Sequence, residues 1–273
     1  MTQSILTNRT QKKSTPIQRI RSLGRAEWLQ FFRNRTLLFM AVVFPLGLPL
    51  VLFGIGSRGA LEAANTFDLF VIYTLLFVQF YTVLSMVTTR RDERVLKRLR
   101  TGEARDMEIL LAICLPGAVL TIIFSIVIVP ILMLMGAPAP VNILPIILVV
   151  LLGLVLSSAL AFITSGFTRN AEAAQLTSMP VFTIAVLGIG SLRPAFGDGL
   201  FAQIIGYTPF AMISDLVQLG WAGATYSDSL AGVEPADFAG VLGESGRPLL
   251  IVVAWTVVSL VAARRYIRWD THR

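Results

Sequence analysis

Arg90-Arg91-Asp92-Glu93-Arg94-Val95-Leu96-Lys97-Arg98-Leu99-Arg100 stands between two apolar runs, each long enough to cross a membrane. Residues 90–108 hold seven Lys/Arg and five Asp/Glu, whereas only 14% of the whole chain is charged. The island must therefore lie outside the hydrocarbon that its flanks occupy. On a helix Val95, Leu96 and Leu99 share one face, and Arg91, Arg94, Lys97, Arg98 and Arg100 surround it. A small apolar anchor with a charged rim suits docking onto another protein. A solvated loop that only orients the chain is the other reading.

Composition sets the class around this island. Hydrophobic residues make up 55% of the chain and the mean hydropathy is +0.74, both outside the range of soluble domains. A net charge of +7 would suggest nucleic acid for a soluble domain. Here the basic residues flank apolar runs, which argues for a membrane and against a nucleic-acid partner. Cys114 is the only cysteine and sits in an apolar run, which excludes an internal disulfide. The only histidine is His272, so no histidine-based metal or acid–base site is expected, and neither a catalytic residue nor a cofactor is assigned to this chain.

Six segments are apolar over the ~20 residues needed to span ~30 Å of hydrocarbon: 37–56, 67–88, 109–135, 143–167, 175–192 and 248–266. The fold class is an all-α membrane protein with six transmembrane helices inside a domain over 37–267. The fifth segment is the shortest and carries Pro180. Ahead of them, residues 1–14 read as a disordered tail, and nothing in the first 36 residues has the pattern of a signal peptide. Over 15–36, Ile17, Ile20, Gly24, Trp28 and Phe31 recur at helical spacing against Arg19, Arg21, Arg25 and Arg33. This predicts an amphipathic helix in the membrane interface on Ile20, Trp28 and Phe31, with lipid as its partner. A plain basic tail drawn to anionic lipid is the alternative.

Charge asymmetry sets orientation. Twenty of the 23 Lys/Arg lie in the N-terminal arm, the island, the connection after the fourth segment and the C-terminal tail, residues 268–273 included. The remainder are Arg58, Arg193 and Arg247. Both termini and the loop 89–108 are expected in the cytoplasm of a cell-membrane protein. The outer side holds two short loops and one long region, 193–247, with two Arg, no Lys and six acids. Its apolar middle contains Gly206, Pro209 and Gly220, so two short re-entrant helices broken near Tyr207-Thr208-Pro209 are expected. An outer gate is placed on Tyr207, Pro209, Phe210 and Asp215.

Polar groups inside the spans are few. Gln79 is the deepest, accompanied on the second segment by Tyr73, Thr74, Tyr81, Thr82 and Ser85. A substrate path is placed on Tyr73, Gln79, Tyr81 and Ser85, facing Met179, Phe182 and Thr183 of the fifth segment. Ordinary hydrogen bonds between packed helices explain the same residues equally well. Ser157, Ala161 and Ser165 form a small-residue stripe that suits close helix packing. No phosphate-binding loop ending in Gly-Lys-Ser/Thr is present, and no Lys follows Lys97. Acids in the confident spans are boundary residues such as Asp68 and Glu108, so no ion-driven relay is expected either. A transporter built this way must take its energy from a partner.

This arrangement resembles the membrane subunit of an ATP-binding-cassette exporter of the type-2 permease family, and is similar to the daunorubicin-resistance permeases. An interfacial N-terminal helix, six spans, an inner loop after the second span and a long re-entrant region before the sixth carry the resemblance. Asp92-Glu93-Arg94-Val95-Leu96-Lys97-Arg98-Leu99-Arg100-Thr101 resembles the family's Glu-Arg-rich segment and its Leu-Arg-Thr turn, with Gly102 where the family has Pro. Tyr207-Thr208-Pro209-Phe210 and Asp215 resemble its Asn-Pro segment and later Asp, with Thr208 in place of Asn.

The resemblance implies a pair of permease chains, identical or paralogous, each seated on a cytoplasmic ATPase subunit that binds ATP and magnesium. It implies that a coupling segment at Arg91, Asp92, Glu93, Arg94, Val95, Leu96, Lys97, Leu99 and Arg100 docks into that subunit. The implied activity is export of an amphipathic or hydrophobic compound such as a drug or natural product. Export of a lipid or glycan carrier is the alternative, and an ATP-independent sensor, anchor or assembly factor is the alternative of another class.

Overall fold

The computed structural model describes residues 15–94 and 105–267, and every regular element among them is helical. The disordered tail expected over 1–14, the C-terminal tail 268–273 and the island residues 95–104 lie outside the described residues.

Helix α1 (Pro16–Arg33) starts on a capping box. Thr15 Oγ1 accepts from the Gln18 N–H, the Gln18 side chain accepts from the Thr15 N–H at 3.1 Å, and Pro16 takes the first helical position. Gly24, Glu27 and Phe31 are buried, with Ile20 and Trp28 half-buried beside them. These residues press on the third span, where Gly24 admits Leu115 so closely that a Cβ would stand 2.7 Å from its Cδ2. The expected face is thus corrected at two positions: Ile17 is 78% exposed, and Glu27 is 4% exposed in its place.

The first span joins α2 (Arg35–Val42), a π-helical turn Val43–Gly47 and α3 (Leu48–Ile55). Pro45 supplies no N–H, and the widened turn absorbs the gap it leaves in the ladder. The second span runs unbroken through α4 (Ala60–Tyr73), a π-helical stretch Thr74–Tyr81 and α5 (Thr82–Asp92). It forms the core, with Phe67, Phe70, Leu75, Leu76 and Phe80 fully buried. The third span, α6 (Asp106–Leu134), reaches closest to it at Gly117, where a Cβ would lie 2.5 Å from the Val78 carbonyl oxygen. The fourth is α7 (Ile143–Phe167), whose Ser157, Ala161 and Ser165 are all fully buried among neighbouring helices.

After these come α8 (Ala174–Leu187), α9 (Leu200–Gly206), α10 (Pro209–Ala222), α11 (Tyr226–Leu230) and α12 (Phe238–Tyr266). Among the described residues five helical spans are long and apolar enough to cross a membrane, and six if α9 and α10, bent by 71° at their junction, count as one; α8, on the expected fifth segment, is too short to be among them. That bend falls at Tyr207-Thr208, as the sequence predicts, and the whole of α10 is buried.

Three boundaries differ most from expectation, and the second span is one of them, beginning at Ala60 instead of 67. The fifth segment stops at Leu187 instead of 192, and its 14 residues reach about 21 Å. Gly188 ends it because the backbone there meets α10: a Cβ would lie 2.7 Å from the Ala211 nitrogen. The last helix begins at Phe238, ten residues before the expected 248, because Asp237 caps it through the Gly240 N–H. Its polar first turns contain Glu244, Ser245 and Arg247 and carry no hydropathy signal.

Candidate functional site

Polar side chains gather at three levels. At the charged end, three consecutive residues at the end of α5 each reach a different element. Arg90 pairs with Glu27 of α1 at 2.8 Å. Arg91, only 1% exposed, donates to the Ser165 carbonyl at 2.8 Å, to the Thr168 carbonyl, and to the Arg169 carbonyl at 3.4 Å. Asp92 Oδ2 accepts from the Ala171 N–H at 3.0 Å.

Ser165 and Thr168 close the fourth span, and the last carbonyls of a helix lack internal donors and carry the negative end of its dipole. The Arg91 guanidinium therefore caps α7 from another helix. Beyond it, Glu93 and Arg94 are exposed, and Arg94 ends the helix in the left-handed region at φ 58°. Val95, Leu96, Lys97, Leu99 and Arg100 of the proposed coupling segment lie outside the described residues. Arg19 of α1 and Glu108 of α6 close the same end at 2.8 Å. Burial pushes the Glu27 carboxyl above its ordinary 4.5, although Arg90 pulls it down.

At mid-depth the expected path residues divide between two faces. Phe182 of α8 meets Phe77, Phe80 and Tyr81 with ring centroids 5.0, 6.0 and 6.3 Å apart, and Tyr73 joins through Phe77 at 6.1 Å. The second and fifth segments are thus brought together through aromatic rings. Gln79 turns the other way. It is buried, and its Nε2 donates to Ser158 Oγ of α7 at 2.7 Å and to the Cys114 carbonyl of α6 at 3.4 Å. Ser85 is half-buried, while Met179 and Thr183 are exposed on α8. In α1 Phe31 is fully buried and Trp28 stacks obliquely on Phe32 at 5.0 Å.

At the opposite end Asp68, fully buried in the second span, organises a network. Its Oδ2 accepts from Ser214 Oγ at 2.6 Å, from the Gly190 N–H at 3.2 Å and from Gln218 Nε2 at 3.3 Å. Gln218 also donates to Asn65 Oδ1 at 3.3 Å. The shortened fifth segment is explained here, since the chain turns inward after α8 to bring Gly190 to Asp68. Of the expected gate residues, Asp215 pairs with Arg193, Phe210 is buried, and Pro209 opens α10 behind the Thr208 cap. Tyr207 is exposed at the bend and tied to α12: its hydroxyl accepts from Arg247 at 2.6 Å and its carbonyl from Trp255 Nε1 at 3.0 Å.

Sequence reading passed over Glu27 and Asp68. Glu27 is the only acid in residues 1–36 and falls on the buried helical face. Asp68 had a fainter signal, in that Ser214 and Gln218 stand four residues apart on one face of a helix whose only charged residue is Asp215.

Residues 18–197, more than half of the chain, match the family model described as ABC-2 type transporter. The match runs from α1 to the turn after α8. No curated protein matches the sequence at significant similarity.

Proposed function

The chain belongs to the ABC-2 type transporter family, and from that premise we propose that it is the permease subunit of an exporter powered by a separate cytoplasmic ATPase. ATP and magnesium bind in that partner. Two permease chains, identical or paralogous, work as a pair, and the compound moved outward is amphipathic or hydrophobic. The charged end faces the cytoplasm, in keeping with twenty of 23 Lys/Arg there.

One observation carries the coupling role: Arg90, Arg91 and Asp92 bind the stem of the charged island to α1, to the end of α7 and to the turn before α8. A push on residues 95–104 by an ATPase then reaches α1, the end of α7 and the turn before α8 through hydrogen bonds and an ion pair. Glu93 and Arg94, exposed beyond that stem, belong to the docking surface, whereas Arg91 is a positioning residue. Substrate enters along the aromatic face shared by the second span and α8, and leaves past the bend at Tyr207.

The test is co-purification with a candidate ATPase, followed by turnover in lipid. Replacing Glu93 and Arg94 by Ala should weaken association by roughly tenfold or more, since truncated interface anchors cost about 1–2 kcal/mol or above. Association and turnover equal to wild type in that variant would remove the docking assignment.

A further inference from the structure

Helices α6 and α7 follow one another across residues 135–142 yet scarcely touch along their length. The gap between them holds two cavities that share Leu151, one of about 430 Å³ toward the charged end and one of about 420 Å³ toward the opposite end. Both lie within the 300–1,000 Å³ range of ligand sites. Their rims are exposed aliphatic side chains, Leu111, Leu151 and Val155 among them, so they open sideways onto the hydrocarbon. On the floor of the first, Gln79 Nε2 donates to Ser158 Oγ and Gln79 Oε1 is buried against Gly117, so the lining that remains exposed to the cavity is suited to methylenes. Among the described residues Phe162 is the only aromatic one lining it, and a slot walled by aliphatic groups fits a flexible chain better than a flat ring system.

The two cavities differ in charge. Arg264 of α12 lines the charged-end cavity and pairs with no acid among the described residues. Among the described residues no charged one lines the other, and its Ser125 donates to its own helix at the Thr121 carbonyl, 2.8 Å away. An apolar crevice facing lipid takes a hydrocarbon chain, since water there would lack polar partners. A guanidinium at its mouth selects a phosphate, and basic pockets between membrane helices hold anionic headgroups.

We propose that the charged-end cavity binds one acyl chain of an anionic phospholipid, whose phosphate rests on Arg264. The lipid wedges α6 against α7 beside Gln79, and the opposite cavity has no headgroup preference. This assignment does not depend on the transport reading.

The test is native mass spectrometry of the chain after incubation with mixed phosphatidylglycerol and phosphatidylethanolamine vesicles and mild extraction. Wild type should keep phosphatidylglycerol several-fold over phosphatidylethanolamine. Val155→Phe, which fills the slot from its exposed wall, should lose the retained lipid. Arg264→Gln should keep a lipid without headgroup preference, and Arg265→Gln, beside it but outside the lining, should behave as wild type. Retention of phosphatidylglycerol by Val155→Phe at the wild-type level would overturn the proposal. So would undiminished selectivity in Arg264→Gln, or an equal loss in Arg265→Gln, which would mean diffuse attraction to the charged end. Arg264 is exposed, so its variant decides the matter even where Val155→Phe fails to assemble.

Discussion

The two ends of the bundle bind their helices by different chemistry. At the charged end the polar side chains are ionic, and they reach main-chain groups where helices stop: Arg91 on the carbonyls that end α7, Asp92 on an N–H before α8. At the opposite end, beside the Arg193–Asp215 ion pair, the buried carboxylate of Asp68 gathers a hydroxyl, an amide and a backbone N–H, and so fixes α10 to the second span. The first arrangement joins the ends of helices and can transmit a displacement. The second joins the flanks of buried helices and resists one. A permease needs both, a stem that moves as a unit and an outer region with a defined bend.

The largest break in this comparison should come from Asp68→Leu. It leaves the Ser214 hydroxyl and one Gln218 N–H without their buried acceptor, at about 1–3 kcal/mol for each, while the Gly190 N–H keeps Ser214 Oγ at 2.8 Å. Thermal unfolding in lipid nanodiscs should report a loss of about 3 kcal/mol or more. Arg91→Lys keeps the charge but cannot serve three carbonyls in a fork, so a smaller loss of about 2 kcal/mol is expected by the same assay.

Arg94→Gly should act in the opposite direction. Relief of a left-handed non-glycine residue stabilises by about 1 kcal/mol, partly offset by glycine's greater freedom in the unfolded chain. The smallest effect concerns Glu27. Its folded-state pKa is raised, so the stability it contributes is present below about 4.5 and is lost as pH rises through the folded value. Glu27→Gln should flatten that part of the melting-temperature profile against pH, and an unchanged slope would show that Glu27 does not cause it.

Features that follow from length and hydropathy were legible in the sequence. Five of the expected spans and the break at Tyr207-Thr208-Pro209 each depend on a run of residues, and a run survives uncertainty about any one partner. Single residues whose meaning depends on distant partners were not. Arg91 reads as one more charge of the island, yet its acceptors lie 74 to 78 residues away. Asp68 reads as a boundary acid, yet Ser214 is 146 residues away. The early end of the fifth segment was hidden for the same reason, because the turn toward Gly190 answers to Asp68 and not to local hydropathy. Gln79 was recognised as buried and polar, but periodicity could not say that it faces α6 and α7 instead of α8.

The central claim is that Arg91 carries force from the island into the membrane helices without itself contacting the ATPase. Transport per ATP hydrolysed, measured in proteoliposomes holding the reconstituted complex, tests it most directly. Arg91→Lys should bind the ATPase as wild type does and hydrolyse ATP, while moving several-fold less substrate for each ATP. An unchanged ratio of transport to hydrolysis, or a loss of association instead of coupling, would contradict the account.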